Sequence, residues 1–279
     1  MAEKQVYRFT NEISEVEVCS IGAKIVLIPT DGEGITAEYE NPKDNPKFCA
    51  VLLENKLSFK ETPFINIIGN KAEEDYKISV YLPKKSFSKI TVNTTHGGVS
   101  AKGVKAEVFD LNTASGDIDV NAEFSEIRVK TASGKIAVKN SPEITARLVK
   151  INSASGNIEI DAKTEKFSIS SVSGNTVYNN AGGEGNVSVA SGKIDLNYSE
   201  WNGDLNISAV SGEVNAALPE GSGMDVDFEG ISGMLKTDLG NEKGKLMNLG
   251  KGTHGTFGGE NLHSIKIKLT SGNVIVKQQ

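Results

Sequence analysis

A chain of 279 residues with 38% hydrophobic and 24% charged content is that of an ordinary folded protein, which excludes a disordered segment, while 29 glycines with only 7 prolines and no three-residue period exclude a collagen. A formal net charge of −6 opposes attraction to phosphate backbones or anionic headgroups, so nucleic acid is not expected as a partner. Two cysteines, Cys19 and Cys49, exclude a disulfide framework and are read as reduced thiols or, alternatively, one bridge.

The N-terminus, Met1 to Thr10, has no basic segment followed by an apolar run, and apolar stretches such as Ile25 to Pro29 are strand-sized. Neither a signal peptide nor a transmembrane segment is therefore expected, and the expected location is cytoplasmic or peripheral to the cell envelope. Residues 1–95 alternate in polarity over Ser14 to Ile28, Lys47 to Lys60 and Asp75 to Leu82, which predicts irregular strands: opening coils and an N-terminal cap. Val16, Val18, Ile25 and Leu27 flank Gly22, and Pro42, Pro46, Pro63 and Pro83 suit an end that must terminate an exposed ladder. Ser88 to Ala101 adds a coil with His96-Gly97-Gly98 as its corner.

Residues 96–279 are more regular and continuous with the first part. The pair Ser-Gly recurs at Ser115-Gly116, Ser133-Gly134, Ser155-Gly156, Ser173-Gly174, Ser191-Gly192, Ser211-Gly212, Ser232-Gly233 and Ser271-Gly272, with glycine intervals of 18, 22, 18, 18, 20, 21 and 39. Apolar residues stand six and four places before most of these serines (Phe109 and Leu111, Ile127 and Val129, Phe167 and Ile169). They stand again three and five places after (Ile118 and Val120, Ile136 and Val138, Ile194 and Leu196). Period two on both sides means two strands per unit. The residue just before the serine is also small or apolar in seven of eight units, which the alternation does not allow on a straight strand. The Ser-Gly pairs are accordingly read as structural corners, with glycine supplying the dihedral freedom. The predicted fold is all-β, a parallel β-helix or β-solenoid with coils of about 18–22 residues, its serine hydroxyls aligned in a column. A glycine-rich excursion, Gly240 to Gly259, fills the long interval, and the last strand, Val274 to Lys277, is expected at an open edge suited to homo-oligomer formation.

Chemical motifs are sparse. Gly250-Lys251-Gly252-Thr253-His254-Gly255 matches a dinucleotide fingerprint, but a strand rather than a helix follows. The stretch Gly182 to Val189 begins like a calcium-binding nonapeptide but has Val187 where the metal needs a carboxylate. His96, His254 and His263 have no ligand spacing, so neither a metal nor a cofactor is expected. Four residues after the serines stand Asp119, Ala137, Glu159, Val177, Asp195 and Asn215. Asp119 and Glu159, two coils apart, would then sit about 9.5 Å from each other, the wide limit for an inverting glycosidase pair. Tyr198 and Trp201, in a looser turn, are candidates for stacking on a sugar or a partner, or for covering a coil flank.

The strings TASGDIDV, TASGKIAV, SASGNIEI, VASGKIDL and LTSGNVIV, following ISVYLPKKSFSKITVNTTHGGVSAKG, resemble the bacterial putative-adhesin family of β-strand-repeat proteins, formally a domain of unknown function. The resemblance covers nearly the whole chain. It implies a right-handed, pectate-lyase-like β-helix, and some family members are linked to cell-envelope stress; no catalytic motif comes with it. The expected function is a non-enzymatic, adhesin-like or envelope-associated scaffold presenting a polar ladder to a protein or glycan partner. The alternatives are a polysaccharide-active enzyme using outer-face carboxylates and a self-assembling structural protein.

Overall fold

In the computed structural model, which describes residues 3–41, 47–62, 76–237 and 252–278, every regular element is a strand. The prolines at 42, 46 and 63, residues 240–251 of the glycine-rich stretch 240–259 and the first two residues of the Gly250 fingerprint lie outside the described residues. The chain divides into two compact units, Met1–Ser141 and Pro142–Gln279.

The first unit holds β1 (Glu3–Phe9), β2 (Glu15–Ser20), β3 (Lys24–Thr30), β4 (Ile35–Asn41), β5 (Lys47–Leu53), β6 (Lys56–Thr62), β7 (Lys77–Pro83), β8 (Ser86–Thr94), β9 (Val99–Ser115), β10 (Ile118–Ser133) and β11 (Ile136–Asn140). Here β1 with β4, β4 with β7, and β5 with β6 are antiparallel. Pairings of β2 with β6 and β8, of β3 with β7 and β9, and of β9 with β8 and β10 are parallel. Cys49 on β5 and Cys19 on β2 both lie opposite Lys60 on β6. Two strand spacings, about 9.5 Å, therefore separate them, beyond the roughly 7 Å between Cα atoms that a disulfide tolerates. Both are free thiols.

The second unit holds β12 (Thr145–Ala146), β13 (Leu148–Ser153), β14 (Ile158–Asp161), β15 (Lys163–Thr164), β16 (Lys166–Ser171), β17 (Asn175–Ala181), β18 (Glu184–Tyr198), β19 (Leu205–Leu218), β20 (Ser222–Thr237), β21 (Thr253–Gly258) and β22 (Asn261–Gln278). β13 pairs with β16, β16 with β18, and β18 with β19, all parallel and in register, so that Ser191-Gly192 lies opposite Ser211-Gly212. β21 folds back antiparallel on β20.

The all-β class holds, but the right-handed, pectate-lyase-like solenoid is overturned. The core is a closed parallel barrel of seven strands with further strands added to it. Two features account for the difference. Several strands run straight through their Ser-Gly pair: β18 gives Glu184–Val189 to β16 and Lys193–Tyr198 to β17. One strand thereby belongs to both faces and joins their ladders, whereas a solenoid of separate sheets ends one ladder at each corner. The antiparallel strands are equally foreign to uniform coiling.

The expected apolar alternation is realised. Phe109, Leu111, Ile127, Val129, Ile136, Phe167, Ile194, Leu205 and Val274 are all buried. Glycine at the corner takes a positive φ in six of the eight pairs, Gly116, Gly134, Gly156, Gly174, Gly192 and Gly272. At Gly192 an added Cβ would stand 2.3 Å from the carbonyl oxygen of Gly174 in the neighbouring rung. The corner column therefore excludes side chains on two counts, dihedral and steric.

Two details of the corner differ from the sequence expectation. The residue before the serine points outward, Val172, Val210 and Ile231 being 56%, 55% and 71% exposed, so the alternation is unbroken up to the serine. The inward residue is instead the one two places before. Its hydroxyl donates to the serine's own carbonyl: Thr113 to Ser115 (3.1 Å), Thr131 to Ser133 (2.7 Å), Ser153 to Ser155 (3.1 Å) and Ser171 to Ser173 (3.2 Å). Three of the serine hydroxyls take carbonyls where a hydroxyl-to-hydroxyl column was expected: Ser173, Ser191 and Ser271 donate to the carbonyls of Ala154, Val172 and Val210 in the adjacent rung.

The last strand is not an edge. β22 lies between β19 and β20, with Ser271 opposite both Ser211 and Ser232. Its residues Val274 to Lys277 are hydrogen-bonded within the sheet rather than offered at its end.

In the first unit Glu61 is a buried carboxylate. It accepts from the Ile21 N–H (2.5 Å) and the Ser20 hydroxyl (2.9 Å). Burial pushes its carboxyl up from the ordinary value against these hydrogen bonds, and also pushes Tyr76 beside it up to about 12.

Two predictions follow from this packing. Gly192→Ala should destabilise the fold by about 3 kcal/mol, whereas Gly221→Ala, at φ 77° with open space around it, should cost only about 1 kcal/mol of dihedral strain. Urea unfolding of the two variants separates steric from dihedral exclusion. For Glu61 the folded carboxyl binds its proton more tightly than the unfolded one, so stability is greatest below the unfolded value of about 4.3 and is lost as pH rises through the folded value. Glu61→Gln, which keeps a carbonyl acceptor, should flatten the decline in melting temperature between acidic and neutral pH; an unchanged slope would place the titration elsewhere.

Candidate functional site

Because the parallel strands are in register, each outward position becomes a row across the sheet. In the second unit one such row pair runs Ser168 and Ser170 on β16, Asn186 and Ser188 on β18, Asn206 and Ser208 on β19, and Lys266 and Lys268 on β22. Asp227 and Glu229 on β20 follow. The inward neighbours Ile169, Val187, Ile207 and Ile267 are buried, which anchors every outward side chain on a rigid floor.

Six consecutive small hydroxyl or amide side chains bounded by long lysines leave a groove of about 290 Å³, lined by these eight residues with Ile169, Val187 and Ile207. Asn206 Nδ2 donates to Asn186 Oδ1 at 3.2 Å, which orients both amides along the groove. The lining contains two cationic residues and no acid. A second groove of about 450 Å³ adjoins it, sharing Ser208 and Lys268 and adding Val210, Glu229, Ile231, Leu269 and Gly252. Lys268 Nζ lies 3.5 Å from Glu229 in an exposed pair, a contact of small energetic weight. Lys266 has no ion pair among the described residues.

Tyr198 and Trp201 offer no stacking face to solvent, each being 3% exposed. Their rings meet edge to face at 5.1 Å, Trp201 Nε1 donates to the Gly223 carbonyl at 2.7 Å, and Asn261 Nδ2 donates to the Trp201 carbonyl at 2.7 Å. Burial pushes the Tyr198 phenol well up. The pair closes the flank of the core and joins three strands' ends.

The outer carboxylate column is engaged in charge and amide contacts. Asp119 lies 2.8 Å from Lys102 Nζ. Glu159, Val177, Asp195 and Asn215 do share a row, and Asp195 accepts from Asn215 at 2.7 Å and lies 3.2 Å from Lys193. The histidines are dispersed: His96 meets Ser115 Oγ at 3.0 Å, His254 Asp227 at 3.6 Å and His263 Asp204 at 4.0 Å. Val187 of the nonapeptide-like stretch is buried, and no metal-holding cluster of His, Cys, Asp and Glu occurs among the described residues. No helix among them is long and apolar enough to cross a membrane.

The groove escaped sequence reasoning because its lysine wall on β22 lies 60 residues along the chain from its neighbour β19 yet adjacent to it in space. The signal present was the run of Ser and Asn at two outward positions of three successive units.

The model of the family described as Toastrack DUF4097 matches residues 13–277. Among solved structures the chain is similar to a putative adhesin from Bacteroides fragilis NCTC 9343, with 11% identity over 99% of this chain and 97% of that one and a TM-score of 0.46. It is similar also to a putative lipid binding protein from Parabacteroides distasonis ATCC 8503 (14% identity, 99% and 96% covered, TM-score 0.45). A third is a putative cell adhesion protein from Clostridium sporogenes ATCC 15579 (13% identity, 100% of each covered, TM-score 0.28). No curated protein matches.

Trp201→Ala removes a buried ring and its hydrogen bond, and should destabilise the fold by about 3 to 5 kcal/mol in urea unfolding. A variant of unchanged stability would mean that the ring is not part of the core.

Proposed function

The chain belongs to the Toastrack family, DUF4097, and from that membership and the geometry of its outward rows we propose that it is a non-enzymatic binding scaffold, associated with the cell envelope. One observation carries the reading: six outward Ser and Asn side chains in register line a groove on a rigid parallel floor. Hydroxyl and amide groups both donate and accept, and a fixed row of them suits a partner that is itself dense in hydroxyls, such as a glycan.

Catalysis by the outer acids is the weaker reading. Asp119 faces Lys102, and Asp195 is held by Lys193 and Asn215.

Glycan-array binding run beside a reducing-sugar assay tests the proposal. Retention of one or more glycans with no release of reducing ends is the expected outcome, and Asp119→Asn with Glu159→Asn should leave that binding intact. Turnover abolished by the same double substitution would replace the scaffold with an enzyme.

A further inference from the structure

Within that scaffold reading, on which the following rests, we propose that the groove across β16, β18, β19 and β22 is a binding site for an acidic oligosaccharide, a chain of sugars bearing carboxylates. The groove sets two requirements on its occupant. Its floor is Ser168, Ser170, Asn186, Ser188, Asn206 and Ser208, with no exposed aromatic ring and no outward aliphatic side chain among the lining residues. A flat apolar ligand gains little there, because it would cover hydroxyls and amides without returning their hydrogen bonds. A polyhydroxylated one returns them.

The second requirement is charge. The whole chain is at −6, yet the groove lining carries Lys266 and Lys268 two residues apart on one strand, both exposed, and no carboxylate. Lys266 has no ion pair among the described residues, and Lys268 is held only by the exposed contact to Glu229. The two lysines give the groove itself a positive wall on a molecule of net negative charge, with Asp227 and Glu229 one strand further out on β20, and that local charge favours an anionic occupant. Four adjacent strands give a floor about 14 Å from β16 to β22, long enough for several sugar units lying across the strands. Contacts along the floor fix the chain, and the lysines select the members that carry carboxylates.

The test uses the full chain with short oligogalacturonates and the same oligomers fully methyl-esterified, which keep the shape and hydroxyls and lose the charge. Calorimetry should give binding of the acid form at least tenfold tighter than of the ester, weakening as salt rises and the attraction is screened. Lys266→Gln with Lys268→Gln should remove that preference, while Lys193→Gln, on the other face, should not. Ser188→Tyr, which fills the floor and leaves charge unchanged, should weaken both forms. Far-UV circular dichroism and melting verify that each variant is folded.

Equal affinity for acid and ester, an unaltered preference in the double lysine variant, or no binding of the acid form would each overturn the inference. The scaffold reading would survive these results if the array retains another glycan without turnover. Release of reducing ends would instead remove the scaffold reading itself.

Discussion

The rungs of this protein are held in register by a column of close backbone approaches at the corners. Gly174, Gly192 and Gly272 each stand so near the glycine of the adjacent rung that an added Cβ would lie 2.2 to 2.3 Å from its carbonyl oxygen. No side chain larger than hydrogen fits, and no sliding of one rung by a residue is possible without placing a substituted residue in that space. Because the side-chain period of a strand is two, a slip of one would also turn the buried row of Ile169, Val187 and Ile207 outward. The corner thus fixes which side chains share a row, and every outward surface feature depends on it.

Around that column the corner is closed by hydroxyls with separate duties. Thr131 and Ser171 hold the serine carbonyl within their own turn, and Ser191 and Ser271 reach the carbonyl of the rung beside them. These hydroxyls supplement the backbone pairing at the corner: the Val172 carbonyl, which Ser191 Oγ reaches, also accepts from the Ser191 N–H at 2.8 Å. Where β18 and β19 continue through the corner, the ladder itself also persists from Ser191-Gly192 to Ser211-Gly212.

Much of this was legible from the sequence. Family, all-β class, strand pairs and buried positions follow from the Ser-Gly strings and a period of two, which are local properties. The small residue before each serine misled, because alanine and valine carry no mark of direction: Val172 and Val210 are apolar yet exposed. Threonine and serine two places earlier were passed over because a hydroxyl does not read as core, although it is buried there against its own turn. Closure of the sheet was illegible for a different reason. Whether a strand stops at a corner or runs through it is decided by hydrogen bonds to neighbours, and β18 meets β16 before its glycine and β17 after it.

The least legible feature, strand order at the end of the chain, also sets the chemistry of the groove. Were the rungs stacked in sequence order, β20 would lie against β19, and Asn206 and Ser208 would be flanked by Asp227 and Glu229. Insertion of β22 places Lys266 and Lys268 there instead and moves the acids one strand outward, where Glu229 meets Lys268. The interval of 39 residues between the last two Ser-Gly pairs gives a distance along the chain and carries no information on this choice. Swapping two strands leaves the hydrophobic pattern unchanged, since Val226 and Phe228 and Ile265 and Ile267 are equally buried. It reverses the sign of the charge beside the groove, so topology rather than composition decides which ligands this face admits.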